Sequence, residues 1–450
     1  MQNRFVLGVS VGESFAEYSL LSGEEALVQK RVYLSRENLK QSLSQFIAEQ
    51  KEKPEHVFVS LRLPKKLLDY RFGGAVAHLT TEGFENWLDV CGSKHAALTN
   101  KDLIFSITER VLASGTIETP LKIEDLEAIS AKLSLVDCKK ICLHFLHSNK
   151  NPSHLIQAQH FFTEKGLEVF VPDNADGAET ERWNKNALNA TMSSLFEERK
   201  KEVLEACEGI PADKIYFLSS SGKLINSKNE ALESLFAAST AMGMVFGADK
   251  NTDVLYLGLE NFWLISGQQW KDSWNSAWGD VALKHVQFDE LGIQPTLGIS
   301  LNSFNRFDFN TTQEGWEPGP MFLGRGQKSC LLDLWAENAK LAKTAGLEDR
   351  LAPQGITRFK NSLFALSKIS KIRDNEVTTI TKELQSLSMH RLAMEAYLKR
   401  KSKKLLVTGP LANVFANVFK KDAQTTVDVK DFAESTATAV FGMKTLEASL

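Results

Sequence analysis

The sequence predicts an α/β fold with two lobes, and three observations carry that expectation. Strand-like and helix-like segments alternate along the whole chain. A β-hairpin pattern stands near the start and another just past the midpoint. The 450 residues suffice for two or three domains with real cores.

Taken in order, Val6-Leu7-Gly8-Val9 opens a first strand and Phe15-Ala16-Glu17-Tyr18-Ser19-Leu20-Leu21 a second, with residues 10–14 as their turn. Residues 37–52 space Leu39, Leu43, Phe46 and Ile47 as one face of a helix. Val57-Phe58-Val59-Ser60-Leu61 and Val76-Ala77-His78-Leu79-Thr80 read as buried strands, the second leading through a turn at Gly83 into a helix at Trp87-Leu88. Residues 126–133 look helical and Lys140-Ile141-Cys142-Leu143-His144-Phe145-Leu146 strand-like; Asn151-Pro152-Ser153-His154 then starts a helix, with proline near its first turn. A charged helix at 197–201 is followed by Gly209, Pro211 and Asp213, a break that divides the chain into lobes 1–206 and 207–450. The second lobe opens on Lys214-Ile215-Tyr216-Phe217-Leu218. Its hairpin pairs Thr252-Asp253-Val254-Leu255-Tyr256-Leu257 with Asn261-Phe262-Trp263-Leu264-Ile265 around Gly258-Leu259-Glu260. A helix at 376–399, the strand Lys404-Leu405-Leu406-Val407 and a Gly409-Pro410 turn into a helix follow. The two hairpins suggest a duplicated architecture by shape, without matching residues.

Composition narrows the function classes. Hydrophobic residues make up 43 % and charged residues 24 %, an ordinary globular balance. A net charge of -3 gives no general attraction to nucleic acid or anionic membrane. No apolar run reaches the roughly 18 residues of a membrane helix, and Met1-Gln2-Asn3-Arg4-Phe5 lacks a signal-peptide pattern. Five cysteines make no disulfide framework. The expectation is a cytoplasmic, reduced protein without nucleic-acid or membrane partners. Cys138 and Cys142 read as small hydrophobes on one buried face, with a metal pair as the alternative.

The motifs are more specific. Glu317-Pro318-Gly319-Pro320-Met321-Phe322-Leu323-Gly324-Arg325-Gly326, with Asp333 shortly after, resembles the D-P-G-P-x-x-Y-G-R-G-G loop of the hydantoinase/oxoprolinase family. Leu79-Thr80-Thr81-Glu82-Gly83-Phe84 resembles its L-L-T-T-x-G-F. Leu146-His147-Ser148 with Asn151-Pro152-Ser153-His154 resembles L-H-S-x-x-N-P-x-H. Glu181-Arg182 with Leu188-Asn189-Ala190 is similar to Y-E-R-x-x-T-x-x-x-N-A, and Thr240-Ala241-Met242-Gly243-Met244-Val245-Phe246-Gly247-Ala248 to G-P-A-A-G-V-x-G-A. Val407-Thr408-Gly409-Pro410-Leu411-Ala412 keeps three residues of G-G-A-G-P-L-H-A.

The resemblance implies an ATP-binding fold of the actin and sugar-kinase (ASKHA, ribonuclease H-like) type, in a divergent and shortened member. It implies ATP-assisted opening of a cyclic amide, a hydrolase activity, or a role like that of the related acetone and acetophenone carboxylase subunits. ATP and a divalent metal are the implied cofactors. The positions that would hold them are Ser10, Gly12, Ser14, Gly258, Glu260, Gly409 and Pro410. Here the pattern departs from the family. Ser10 stands for a metal-organising aspartate and Glu13 for a glycine, while Leu257-Gly258-Leu259-Glu260-Asn261-Phe262-Trp263 replaces D-M-G-G-T-S-T-D. A carboxylate aimed at phosphate repels it, and a side chain blocks close backbone approach.

Glu181, Arg182 and Arg325 are the substrate-cleft candidates; for the first two a salt-bridged helix start is the competing reading. His147 and His154 are the metal candidates, completed by Asp173 or Glu181, with loop and helix-start roles as the alternative. Neither the G-x-x-x-x-G-K-[ST] phosphate loop nor the H-E-x-x-H metal motif is present. The expected function is a family member with eroded phosphate loops, a pseudo-enzyme binding a partner subunit or a small cyclic amide, or an oligomer of itself. The alternative is an ATP-dependent cyclic-amide hydrolase or carboxylase subunit.

Overall fold

The computed structural model describes residues 4–12, 14–34, 38–62, 75–87, 100–173, 178–225, 228–247, 251–271, 283–310, 320–323, 328–336, 353–371, 376–419 and 426–449. Strands of the first half are β1 (Phe5–Val11), β2 (Phe15–Ser22), β3 (Glu25–Tyr33), β4 (His56–Leu61), β5 (Val76–Thr81), β6 (Ile104–Ile107), β7 (Arg110–Val111), β8 (Ile117–Thr119), β9 (Lys140–His144), β10 (Glu168–Phe170) and β11 (Ile215–Phe217). Those of the second half are β12 (Thr252–Leu257), β13 (Phe262–Lys271), β14 (His285–Glu290), β15 (Gly298–Leu301), β16 (Phe307–Asn310), β17 (Lys404–Thr408) and β18 (Thr426–Val429).

Two five-stranded sheets share one topology. The first has the order β11-β4-β1-β2-β3 and the second β14-β13-β12-β17-β18. In the first, β1 pairs antiparallel with β2 and β2 with β3, while β4 adds parallel to β1 and β11 to β4. In the second, β12, β13 and β14 repeat the antiparallel run, and β17 and β18 repeat the parallel additions. The duplication suggested by two hairpins is therefore a duplication of whole sheets. β3 escapes a sequence reading because Glu25, Lys30 and Arg31 interrupt its apolar residues; it is an edge strand, exposed at its start. A third sheet, β10-β9-β5-β6, is parallel throughout.

The helices are α1 (Leu39–Glu49), α2 (Ile123–Leu135), α3 (Ser153–Glu164), α4 (Glu179–Ala206), α5 (Ala237–Phe246), α6 (Leu331–Ala336), α7 (Pro353–Ile369), α8 (Val377–Lys399), α9 (Ala412–Phe419) and α10 (Ala433–Ser449). The charged segment at 197–201 is the late part of α4, which runs for 28 residues. Of the helix expected at Trp87-Leu88, only Trp87 is described. Among the described residues, no helix is long and apolar enough to cross a membrane.

Two helices join the repeated sheets. α10 lies on β1, β2 and β4; α5 lies on β12, β13 and β14; and the two helices pack on each other. Small residues make this possible: a Cβ at Gly243 of α5 would sit 2.6 Å from Val286 Cγ1. The α10 contact is also polar. Ser19 Oγ lies 2.7 Å from Ser435 Oγ and Ser60 Oγ 2.8 Å from Thr438 Oγ1.

A division at 206/207 thus does not separate the sheets. β11, from beyond that point, completes the first sheet, and α10, from the end of the chain, covers it. One apolar core runs from Leu7 and Val59 through Leu255 and Phe262 to Ala437. The four-stranded sheet has a core of its own around Leu79, Leu126, Leu143 and Phe162.

Candidate functional site

The turn after β1 and the turn after β12 come from different sheets, and they touch. The Ser14 backbone N–H donates to Glu260 Oε1 at 2.8 Å. Each turn is closed by its own backbone: Gly12 N donates to Phe15 O, and Gly258 N to Asn261 O. The Gly409-Pro410 segment docks beside them on the end of β12, where Leu411 N donates to Leu257 O. Gly409 holds φ 101°, and a Cβ there would sit 2.5 Å from Leu257 O, so only glycine fits. The structure therefore brings Ser10, Gly12 and Ser14 to face Gly258, Glu260, Gly409 and Pro410. Glu13 lies outside the described residues.

Between the facing turns stands Arg62, the residue after β4. Its guanidinium carbon lies 4.4 Å from the centre of the Phe15 ring and 5.5 Å from that of Tyr256. Nη1 donates to the Tyr256 hydroxyl and lies 3.3 Å from Glu434 Oε1 in the first turn of α10. Ser10 Oγ donates to the other oxygen of Glu434 at 3.4 Å. A Cβ at Gly12 would sit 2.5 Å from Arg62 Nη2, so Gly12 makes room for this arginine. Beside it, opposite Ser10 on β2, buried Glu17 takes two hydrogen bonds from Arg31, which also reaches Asp431.

Burial dominates the electrostatics. It pushes the Glu434 carboxyl up to about 7; Arg62 opposes the shift, and Glu17 and Glu260 add to it. Burial also works against charge on Arg62, but Glu434, Tyr256 and Glu260 more than offset it.

Sequence reasoning did not single out Arg62, Tyr256, Glu434 or Glu17. Arg62 and Glu434 were findable as lone charges: one follows a wholly buried strand, and the other sits in the small-residue run Ala433-Glu434-Ser435-Thr436-Ala437. Their pairing was not legible, because 372 positions separate 62 from 434.

These residues do not fit a nucleotide phosphate with its divalent ion. The backbone donor that would meet a phosphate, Ser14 N, is already taken by a carboxylate. The space over Gly12 is filled by Arg62. Arg62 Nε and Nη2 have no hydrogen-bond partner among the described residues, but the guanidinium lies over the face of Phe15. Ser10 belongs with Ser19 and Ser60 in a set of buried serines bonded to α10, which is a packing role.

The remaining expected residues lie elsewhere. Arg182, in the first turn of α4, is buried; its Nη1 donates to Asp173 O, and its Nη2 lies 3.5 Å from Glu179. Glu181 is half-buried on the next-door helical position. His147 and His154 face different carboxylates. His147 Nδ1 lies 3.6 Å from Glu179, whereas buried His154 Nδ1 lies 2.7 Å from Glu109. His147 also holds φ 56° in its loop. Neither belongs to a group of three metal-ligating side chains among the described residues.

Arg325, with most of the loop at 317–326, lies outside the described residues. What is described is its anchor: buried Asp333 accepts from Phe322 N at 2.9 Å and from Cys330 N at 3.0 Å. Cys138 Sγ turns to the Ala75 and Lys140 carbonyls, away from any metal role with Cys142.

No family model matches the sequence. Over 169 residues the chain is 28% identical to an uncharacterized protein of Methanocaldococcus jannaschii, a stretch covering 34% of this chain and 25% of that relative. Among solved structures, nucleotide-free acetone carboxylase, from work on ATP-dependent acetone carboxylation, superposes with a TM-score of 0.73 at 14% identity, over 97% of this chain and 70% of the other. The ATP-dependent caprolactamase of Pseudomonas jessenii superposes with a TM-score of 0.64 at 17% identity, again over 97% and 70%. At such identities these likenesses speak to the fold. Together with the repeated sheet topology, they make this an actin/sugar-kinase-like α/β chain, folded like acetone carboxylase and caprolactamase.

Proposed function

We propose that this chain is a hydantoinase/oxoprolinase-type protein that has given up nucleotide chemistry and acts as a non-catalytic, cytoplasmic binding member. The observation that carries this reading is the Ser14 N–H to Glu260 hydrogen bond: the two turns that would cradle phosphates are joined by a carboxylate of the chain itself. Arg62 and Glu434 fill the adjoining space, with Nη1 3.3 Å from Oε1. Phosphate binding would require breaking the Glu260 contact and seating an anion beside its carboxylate, each costing several kcal/mol of the stabilisation such sites provide. ATP affinity then falls beyond millimolar, about 4 kcal/mol of binding free energy or less.

The test is titration calorimetry of the full chain with ATP and magnesium or manganese, where no binding is expected at physiological concentrations. Micromolar affinity, or ATP hydrolysis stimulated by hydantoin or 5-oxoproline, would overturn the proposal. That result would favour the second reading, an ATP-dependent cyclic-amide hydrolase or carboxylase subunit, which is supported by the fold likeness to two ATP-dependent enzymes. Arg182 and the Asp333-anchored loop are then the first places to seek a cyclic amide or a partner subunit.

A further inference from the structure

A second cluster of reactive side chains lies on the four-stranded sheet, independent of the facing turns. β5 and β9 run parallel with His78 opposite Cys142 and Thr80 opposite His144. Residues two apart on a strand share a face, so His78, Cys142 and His144 stand together, and all three are buried. α4 covers them: Cys142 Sγ lies 3.9 Å from Asn186 O, and the Trp183 ring centre lies 5.7 Å from that of His144. Trp87 closes another side at 5.0 Å.

The imidazoles face each other through nitrogen. His78 Nδ1 lies 3.1 Å from His144 Nε2, and the rings are nearly parallel. One ligand atom from each of the three residues falls within 4.8 Å of the others. The surroundings are short of partners. His144 Nδ1 and the indole nitrogens of Trp87 and Trp183 are buried without a hydrogen bond among the described residues. Three such atoms around one pair of imidazoles call for an explanation, because most buried polar atoms are paired.

We propose that His78, Cys142 and His144 bind a thiophilic closed-shell cation of the Zn2+ class. Two imidazoles and a thiolate form a ligand set suited to such an ion, and three protein ligands leave its fourth position to a water or small anion. The 3.1 Å nitrogen separation is near the ~3.3 Å that two bonds of about 2.0 Å subtend at a tetrahedral centre. Bringing the sulfur from within 4.8 Å to the ~3.5 Å that bonds of about 2.3 Å and 2.0 Å subtend takes at most about 1.3 Å of closure, within reach of a rotation of the cysteine side chain.

The protonation states agree. Burial pushes His78 down to about 4 and His144 well below its ordinary value, so both rings are neutral, the form that binds metal. Burial raises the Cys142 thiol, against Lys140, the nearby charge that lowers it. The thiol is therefore protonated before binding. The sulfur–metal bond forms as the S–H bond breaks, and one proton leaves to solvent for each ion bound.

The test uses the full chain, dialysed against a chelator. It is titrated with Zn2+ against a chromophoric competitor and separately with Co2+ followed by absorption. The expected results are one ion per chain, sub-micromolar Zn2+ affinity, intense tetrahedral Co2+ bands and a thiolate-to-cobalt charge-transfer band. Affinity should rise about tenfold per pH unit between pH 6 and 8, the signature of a single thiol proton. Cys142→Ala should remove the charge-transfer band and weaken Zn2+ at least a hundredfold, whereas Cys207→Ala should leave both unchanged. Weak six-coordinate Co2+ bands without charge transfer in the unaltered protein, or binding unaffected by Cys142→Ala, would overturn the proposal. The wild-type spectrum decides even where a variant fails to fold.

Discussion

At Arg62 a single side chain stands between the facing turns and gives them an internal charge to close around. Its partners Tyr256 and Glu434 come from the second sheet and the last helix, so the contact also ties distant parts of the chain. Gly12→Ala drives a Cβ into the guanidinium and should destabilise the protein by about 1–3 kcal/mol, the usual range for overpacking, read from urea unfolding. Glu434 gives a pH signature. Its folded carboxyl titrates near 7, while an unfolded glutamate titrates near about 4.3. The folded state therefore holds a proton that the unfolded state has lost across that window. The stability from this group is full below the lower value and is lost as pH rises through the upper one. Glu434→Gln should flatten this trend, so the fall in melting temperature between pH 5 and 7.5 should be smaller in the variant than in the native protein. An equal or steeper fall would refute the assignment. The groups facing Glu434, namely Arg62, Glu17, Glu260 and Arg31, remain in both proteins.

Among the elements, periodicity made the interior visible and left the margins obscure. β1, β2, β4, β5, β9, β12 and β17 are apolar enough to read directly, and the helical face of Leu39, Leu43, Phe46 and Ile47 became α1. β3 was hidden because an edge strand carries charges. α10 was hidden because its buried residues are Glu434, Ser435, Thr436, Thr438, three alanines, Gly442 and a single larger aliphatic, Val440, which produce no apolar stripe. The facing turns were legible as turns; what fills them was not, because Arg62 and Glu434 meet only through the fold. Polar anchors at element ends follow the same logic. Asp333 accepts from two backbone N–H groups and from the Cys330 thiol, holding residues 321–323 against the start of α6. Asp333→Ala leaves both backbone donors buried and should cost at least about 2 kcal/mol. Asp253 caps the approach to β17 by accepting from the backbone N–H groups of Lys401 and Ser402. Its replacement by alanine should cost about 1–3 kcal/mol. Denaturant midpoints for the two variants check both values.

For the whole molecule, the path of the chain decides how it unfolds. The first sheet takes β11 from beyond the midpoint and its cover, α10, from the far end. α10 also packs on α5, the cover of the second sheet, and one apolar core runs through both. Neither five-stranded sheet can then lose its packing without exposing the apolar face of the other, so the two should form one cooperative unit. The four-stranded sheet is different: its core around Leu79, Leu143 and Phe162 is separate, and α4 is the described helix that packs on it from the rest of the chain. Native-state hydrogen exchange at rising denaturant should show β1 and β12 losing protection together, at the free energy of global unfolding. β6 and β10, at the edges of the four-stranded sheet, should open at lower free energy. If β1 opened well before β12, the shared core would not couple the repeated sheets, and the chain would behave as two lobes divided near residue 207.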